Sequence, residues 1–324
     1  MKYKTIVSIV GWLILTVGLY LGILYLKMGD DANAITLTAI ISLLFAGSLF
    51  FSVIARERKE GNHPRTWMIA SWCSITLCIG LSVFFFPKIV HGYTVATSKG
   101  ELRTIAGQFN KAILGFLDNY DRNVKDRTVN YKTCMKNALS HNRKSADWVQ
   151  EQLGLRSLPT NIADFSNEYS QAFLTMMTNN SNKGTNLSGH KEYYKKRCDE
   201  LSDVITSWNP FSVVYYAREL DQTANDYVNR YRRIYNDDNN KTIFERDGDK
   251  AYGVEKATIS ELNYAYNAEF DLVAFFTTIR MSAIGILMTI LALSFFSFAF
   301  IFAIPSHEVG PNMDGDIYKK GYKL

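Results

Sequence analysis

Four runs of about twenty residues contain no Asp, Glu, Lys, Arg or His, and they constrain this chain more than any other feature: residues 5–26, 35–54, 67–86 and 281–304. At a rise of roughly 1.5 Å per residue, each covers the roughly 30 Å hydrocarbon core of a bilayer as a helix. The alternative is core helices of a soluble protein, which suits apolar runs of about 10–14 residues, shorter than these. The near-zero mean hydropathy of the chain is therefore an average over two environments. Lys2 and Lys4 before the first run, and Ala32-Asn33-Ala34 behind it, have the layout of a cleavable signal peptide. Such peptides have apolar regions of only about 7–15 residues, so the first run reads as an uncleaved span.

Lys and Arg in short loops stay on the cytoplasmic side, whereas long domains translocate whatever their charge. The connection between the second and third runs carries Arg56, Arg58, Lys59 and Arg65, the N-terminus carries Lys2 and Lys4, and the tail carries Lys319, Lys320 and Lys323. In the first connection Lys27 faces Asp30 and Asp31. Both termini are thus expected to be cytoplasmic, in a plasma membrane or bacterial inner membrane. Tyr25, Trp67 and Tyr93 near run ends suit the interfacial aromatic belt.

Between the third and fourth runs lies a long polar segment with helical periodicity. Leu102, Ala106, Phe109, Ile113, Phe116 and Tyr120 alternate steps of four and three, continuing less strictly through Val124, Tyr131, Met135 and Leu139. Ser98 and Glu101 have capping-box spacing, so a helix of about 40 residues is expected from there. Further stripes are Phe165, Tyr169, Ala172 and Met176; Tyr194, Cys198, Leu201, Ile205 and Trp208; and Val213, Ala217, Leu220, Ala224, Tyr227, Tyr231 and Ile234. Ser188 and Asn209-Pro210 read as start signals for the last two. Ile259, Leu262, Tyr266 and Val273 suggest a helical lead-in to the fourth span. Residues 179–189 and 236–250 read as polar loops. Asp237, Asp238, Asp247 and Asp249 lack the regular spacing of a calcium loop.

The expected fold class is therefore an all-α membrane protein with four transmembrane helices and a large extracytoplasmic helical bundle between helices 3 and 4. Residues 1–92 hold three spans, 93–272 the bundle, 273–304 the fourth span with its lead-in, and 305–324 a cytoplasmic tail.

Candidate functional residues are few. Cys134 and Cys198, both in the outer segment, are a candidate disulfide in an oxidising compartment, or small core residues. Gly18 and Gly22, Ser42 and Ala46, and Ser74, Cys78 and Ser82 are small residues at helix-packing spacing, within one chain or between chains. Tyrosine is concentrated outside the spans. Tyr193, Tyr215, Tyr216 and Tyr235 sit beside the stripes and are candidates for a partner surface. His63, His91, His141, His190 and His307 form no metal-binding pair, and no phosphate-binding, dinucleotide or nucleophile-elbow motif occurs.

The four charge-free runs carry no ionisable group of the kind that transport pathways use. Arg280 just outside the fourth is read as snorkelling to the outer interface. The expectation is a protein with neither catalytic residues nor cofactor. Its outer bundle binds or organises a protein partner, and the spans serve as anchor and self-association surface. An oligomeric pore and a small-ligand sensor acting through a cytoplasmic partner are the competing readings. The partners expected are lipid and protein, with no nucleic acid. The order of elements resembles that of tetraspanins in topology alone. The paired-cysteine CCG motif is absent, so no residue role carries over.

Overall fold

The computed structural model describes residues 2–57, 64–179, 187–248, 254, 256–262 and 271–301. Regular structure among them is entirely helical: α1 Lys2–Leu26, α2 Asp31–Glu57, α3 Pro64–Thr97, α4 Lys99–His141, α5 Arg143–Leu153, α6 Ile162–Asn179, α7 Leu187–Ser207, α8 Val213–Asn236, α9 Ile243–Arg246, α10 Leu272–Thr277 and α11 Ala283–Ile301. The chain divides into two units, the first comprising Met1–Lys99 with Phe276–Leu324 and the second Gly100–Phe275.

In the first unit, Thr5–Leu26, Asp31–Phe51 and Ile69–Thr97 are long and apolar enough to cross a membrane, which marks a membrane protein. Outward-facing Leu13 and Val17 on α1, Leu43 and Phe51 on α2, and Val83 and Phe84 on α3 are exposed, and α11 exposes Leu287 and Ile290. An apolar surface this extensive on several helices suits lipid and is rare on soluble monomers. The inner faces combine large apolar residues such as Leu15, Leu19, Leu24, Phe45 and Phe296 with small hydroxylated ones such as Ser8 and Ser42. Thr16 Oγ1 lies 2.9 Å from Ser42 Oγ, the Trp12 indole donates to the Ser42 carbonyl at 3.0 Å, and Ser8 Oγ donates to the Phe295 carbonyl at 3.3 Å. α11 therefore shares one bundle with the three longer apolar helices.

The third apolar helix departs from the sequence reading. The charge-free run ends at Phe86, but α3 continues through Pro87 to Thr97 and takes in Lys88 and His91. The cause is close contact with α1. A Cβ on Gly22 would meet the Lys88 carbonyl, and one on Gly92 would meet the backbone of Gly18 and Gly22. Two backbones can approach so closely only where side chains are missing. The post-proline segment is held in the bundle by this contact, with Ile89 and Val90 fully buried.

The second unit is organised along α4, 43 residues in one helix or about 64 Å. Its stripe from Leu102 to Tyr120 is buried, as are Val124, Tyr131, Met135 and Leu139. α6 and then α7 run back along α4. The Tyr131 and Phe173 rings meet at 5.7 Å, Tyr120 donates to the Met177 carbonyl at 2.8 Å, Lys191 pairs with Asp121, and Asn110 donates to Asp199 at 2.7 Å. α8 turns again, antiparallel to α7, with Arg197 paired to Glu219 and the Tyr194 and Tyr227 rings at 4.6 Å.

Four local expectations change. The buried face of α6 is Ser166, Ser170, Phe173 and Met177, one position on from the predicted stripe, and Ala172 is exposed. Ser166 and Ser170 fold their hydroxyls back onto the Ile162 and Asn167 carbonyls, so serine fills the buried side while Phe165 and Tyr169 stack half-exposed at 4.5 Å. α5 went unread in the sequence although its ends are marked. The Asn142 side chain accepts from Ser145 N at 2.7 Å, and Gly154 closes the helix at φ 63°. Within the segment read as a loop from 236, a 3₁₀ turn at Asp238–Asn240 leads to α9, whose Ile243, Phe244 and Glu245 are buried. Residues 256–262 are not helical, so the expected stripe through Ile259 and Leu262 is absent, and Tyr266 lies outside the described residues.

Candidate functional site

Two polar clusters are buried, one in each unit. In the second, Arg127 sits on the inner side of α4 at 3% exposure, where a charge survives only with its donors filled. Its Nε and Nη2 donate to the two Glu245 carboxylate oxygens at 2.8 Å each, a bidentate pair. Nη1 donates to the Tyr235 carbonyl at 3.0 Å and Nη2 also to the Asn240 carbonyl at 3.2 Å. The guanidinium lies 4.7 Å from the Tyr235 ring centre and 5.3 Å from that of Phe173. Glu245 is set by a capping box, accepting from Thr242 N at 2.8 Å while Thr242 Oγ1 accepts from Glu245 N. One ion pair thus fastens α4, the end of α8 and α9 together, against Phe173 of α6.

Around this pair the tyrosines stack. The ring centres of Tyr120 and Tyr231 lie 4.7 Å apart and those of Tyr227 and Tyr231 4.4 Å apart. Burial pushes the Tyr131 phenol up to about 12 and raises Tyr120, Tyr227, Tyr231 and Tyr235 as well. All five are protonated at neutral pH. The Tyr120 hydroxyl donates to Met177 O and that of Tyr235 to Ser260 O at 2.9 Å, while the Tyr227 hydroxyl lies beside Tyr231 without reaching hydrogen-bond geometry. Arg127 and Glu245 are bonded to each other and to backbone groups, and the phenols are neutral, so the cluster ties α4, α8 and α9 together.

The cluster of the first unit surrounds His91, which is fully buried on α3. Nε2 lies 2.9 Å from the Phe276 carbonyl, and Nδ1 accepts from Arg280 N at 3.1 Å. Those partners require a neutral ring with its proton on Nε2. One turn on, Thr94 Oγ1 accepts from Ser282 N at 3.0 Å and lies 3.1 Å from Ser282 Oγ, which accepts from Gly285 N at 3.0 Å. His91 and Thr94 thereby cap the segment by which the chain enters α11. Tyr25 of α1 closes the site, its ring edge-on to His91 at 6.3 Å.

The residues singled out in the sequence lie as follows. Gly18 and Gly22 pack within the chain, against Ile89 and Tyr93 and against Lys88 and Gly92 respectively. Ser42, Ser74 and Cys78 are buried, with Ala46 and Ser82 half-buried, and the Ser48 and Ser82 hydroxyls face the Cys78 thiol. Tyr193 is 62% exposed and Tyr215 and Tyr216 are half-buried, but Tyr235 is fully buried and supplies no partner surface. A bridge between Cys134 and Cys198 is not formed. Asp199 reaches Asn110, which lies 24 residues before Cys134 on α4, or about 36 Å along the helix. Burial instead raises the Cys198 thiol to about 11.

Neither Arg127 with Glu245 nor the His91 clamp was singled out in the sequence. The Thr242 to Glu245 box was the one local signal, since both clusters join positions more than a hundred residues apart. Among the described residues no three His, Cys, Asp or Glu side chains gather as metal ligands. In comparisons with known proteins, no family model, curated protein or solved structure matches this chain.

Proposed function

We propose that the protein is a non-enzymatic membrane organiser whose second unit, held outside the cytoplasm, binds a protein partner along α4, while α1, α2, α3 and α11 all cross the bilayer. For the fourth span, support comes from the packing of α11 beside α1 and α3 and from its 19 helical residues, about 28 Å. For the orientation, it comes from Arg56, Arg58, Lys59 and Arg65 in one short loop.

The observation that carries the binding reading is an open face on α4. Gly100, Gly107 and Gly115 fall within an arc of about 80° on the helix, and a Cβ at any of them would meet nothing within 4 Å. Glycine inside a helix costs about 1 kcal/mol relative to alanine, and the fold gains no close contact from these three. Three stretches of bare backbone on one arc suit the close approach of another chain. A pore assembled through Gly18 and Gly22 would need a pair that α3 already covers.

The test uses Gly107→Leu with Gly115→Leu, which fill open space and leave the fold intact. In mild-detergent extracts of native membranes the wild-type chain is expected to migrate as a discrete assembly larger than one copy, and the double variant as a single copy. Wild type migrating alone, or the variant retaining the assembly, overturns the reading.

A further inference from the structure

We propose that the partner docking along α4 is a protein that presents an acidic helix, whose carboxylates pair with a stripe of cations continuing the glycine face. This rests on the reading of α4 as the binding surface. Arg122 follows Gly115 by about two helical turns, and Lys125, Lys132 and Lys136 come after it at steps of three, seven and four. That spacing holds the four cations within an arc of about 80° on the helix. All four are exposed. Asp118 is an exposed acid on the same arc, one turn before Arg122. Among the described residues, even so, none of the four cations is in an ion pair.

On α7, by contrast, Lys191, Lys196 and Arg197 pair with Asp121, Glu200 and Glu219. Between Gly100 and Phe275 as a whole, Lys and Arg nearly balance Asp and Glu, so the excess on this face of α4 is local. Like charges three or four residues apart on a helix lie about 5–6 Å from each other and repel. Arg122 beside Lys125, and Lys132 beside Lys136, therefore weaken the chain alone, as the three glycines do, and no internal contact offsets either. Opposite charge on a docked partner relieves the repulsion and fixes the register of docking. The two halves of the face together select the partner's class. A nucleic acid or a sulfated polysaccharide would use the cations only, because the bare backbone at Gly107 and Gly115 offers it no charge. A second helix uses both halves, packing closely at the glycines and setting Asp or Glu against the cations, as flanking charges do in coiled coils.

The experiment uses the full-length chain in phosphatidylcholine nanodiscs and a fluorescein-labelled synthetic helix of alanine and glutamate, with the glutamates striped at steps of three and four. A control peptide has the same composition with its glutamates spread round the helix. By fluorescence anisotropy the striped peptide is expected to bind about tenfold more tightly than the control. Its affinity is expected to fall about tenfold between about 0.01 M and 0.15 M salt, as the screening length shortens from about 30 Å to about 8 Å. Lys125→Glu with Lys132→Glu and Lys136→Glu is expected to abolish that binding and to gain binding of the same peptide with lysine in place of glutamate, which also shows that the variant is folded. Equal binding of the two acidic peptides, or affinity indifferent to salt, overturns the proposal. So does heparin bound as tightly as the striped peptide, or self-association of the purified chain that the peptide displaces, since the occupant would then be a polyanion or a second copy. Native extracts report separately on the reading beneath it. An assembly lost with Gly107→Leu and Gly115→Leu but untouched by the triple reversal keeps α4 as the binding face and removes the acidic partner.

Discussion

Removing the Arg127 guanidinium leaves the Glu245 carboxylate buried at 6% exposure with its countercharge gone. Breaking one side of a buried ion pair costs about 3–5 kcal/mol, whereas replacing both partners by apolar groups of similar volume is often close to neutral. Arg127→Met and Glu245→Leu are therefore each expected to destabilise the second unit by about that amount, and the double variant by much less than the sum. Denaturant titration of the detergent-solubilised chain, followed by far-ultraviolet circular dichroism, gives the three values; additive losses would show that the pair is not coupled. Little of this was legible in the sequence. Arg127 follows Asp126 and precedes Thr128 in a stretch that reads as a solvated face, and Glu245 lies in a segment rich in Asp and Asn. Tyr235 falls one position off the regular stripe because α8 ends its spacing with two steps of four, Tyr227, Tyr231 and Tyr235, all fully or nearly fully buried.

Helices were the legible level. An apolar residue every three or four positions must be buried together if the helix is to leave water, so the Leu102 to Tyr120 stripe located the buried face of α4 to the residue. The rule slipped on α6, where two buried serines carry no hydrophobic signal, and for α5 the cap residues had to be read without a long stripe. The paired glycines of α1 announced a close helix contact but not its partner, because spacing alone does not distinguish an internal neighbour from a second chain. That partner makes the contact testable. Gly22→Ala would push a methyl group into the Lys88 carbonyl, and separating two packed backbones is expected to cost about 1–3 kcal/mol. Gly80→Ala, on α3, meets nothing within 4 Å and is expected to keep stability or to raise it by up to about 1 kcal/mol, the helix preference for alanine over glycine. Unfolding by sodium dodecyl sulfate titration compares the two; equal stability of both variants would contradict the α1 to α3 crossing.

The two units are built from different materials, and pH should separate them. The first relies on glycine contacts, hydroxyls bonded to backbone carbonyls and exposed apolar faces suited to lipid, while the second closes on stacked phenols. The unfolded chain binds phenolic protons with a pKa of about 10, and burial raises Tyr120, Tyr131, Tyr227, Tyr231 and Tyr235 above that value. Groups raised in the folded state contribute stability that is whole below the unfolded pKa and is lost as pH rises through the folded values. The second unit is thus expected to hold its stability up to about pH 10 and to lose it steeply above that, as several phenols must ionise together. In reconstituted vesicles, phenolate absorbance should rise in the same narrow interval in which protease begins to cut between Gly100 and Phe275. Through that interval, the membrane-embedded fragments should stay uncut. Gradual ionisation beginning near pH 10 without new cleavage would mean that these rings are not sealed in a common core.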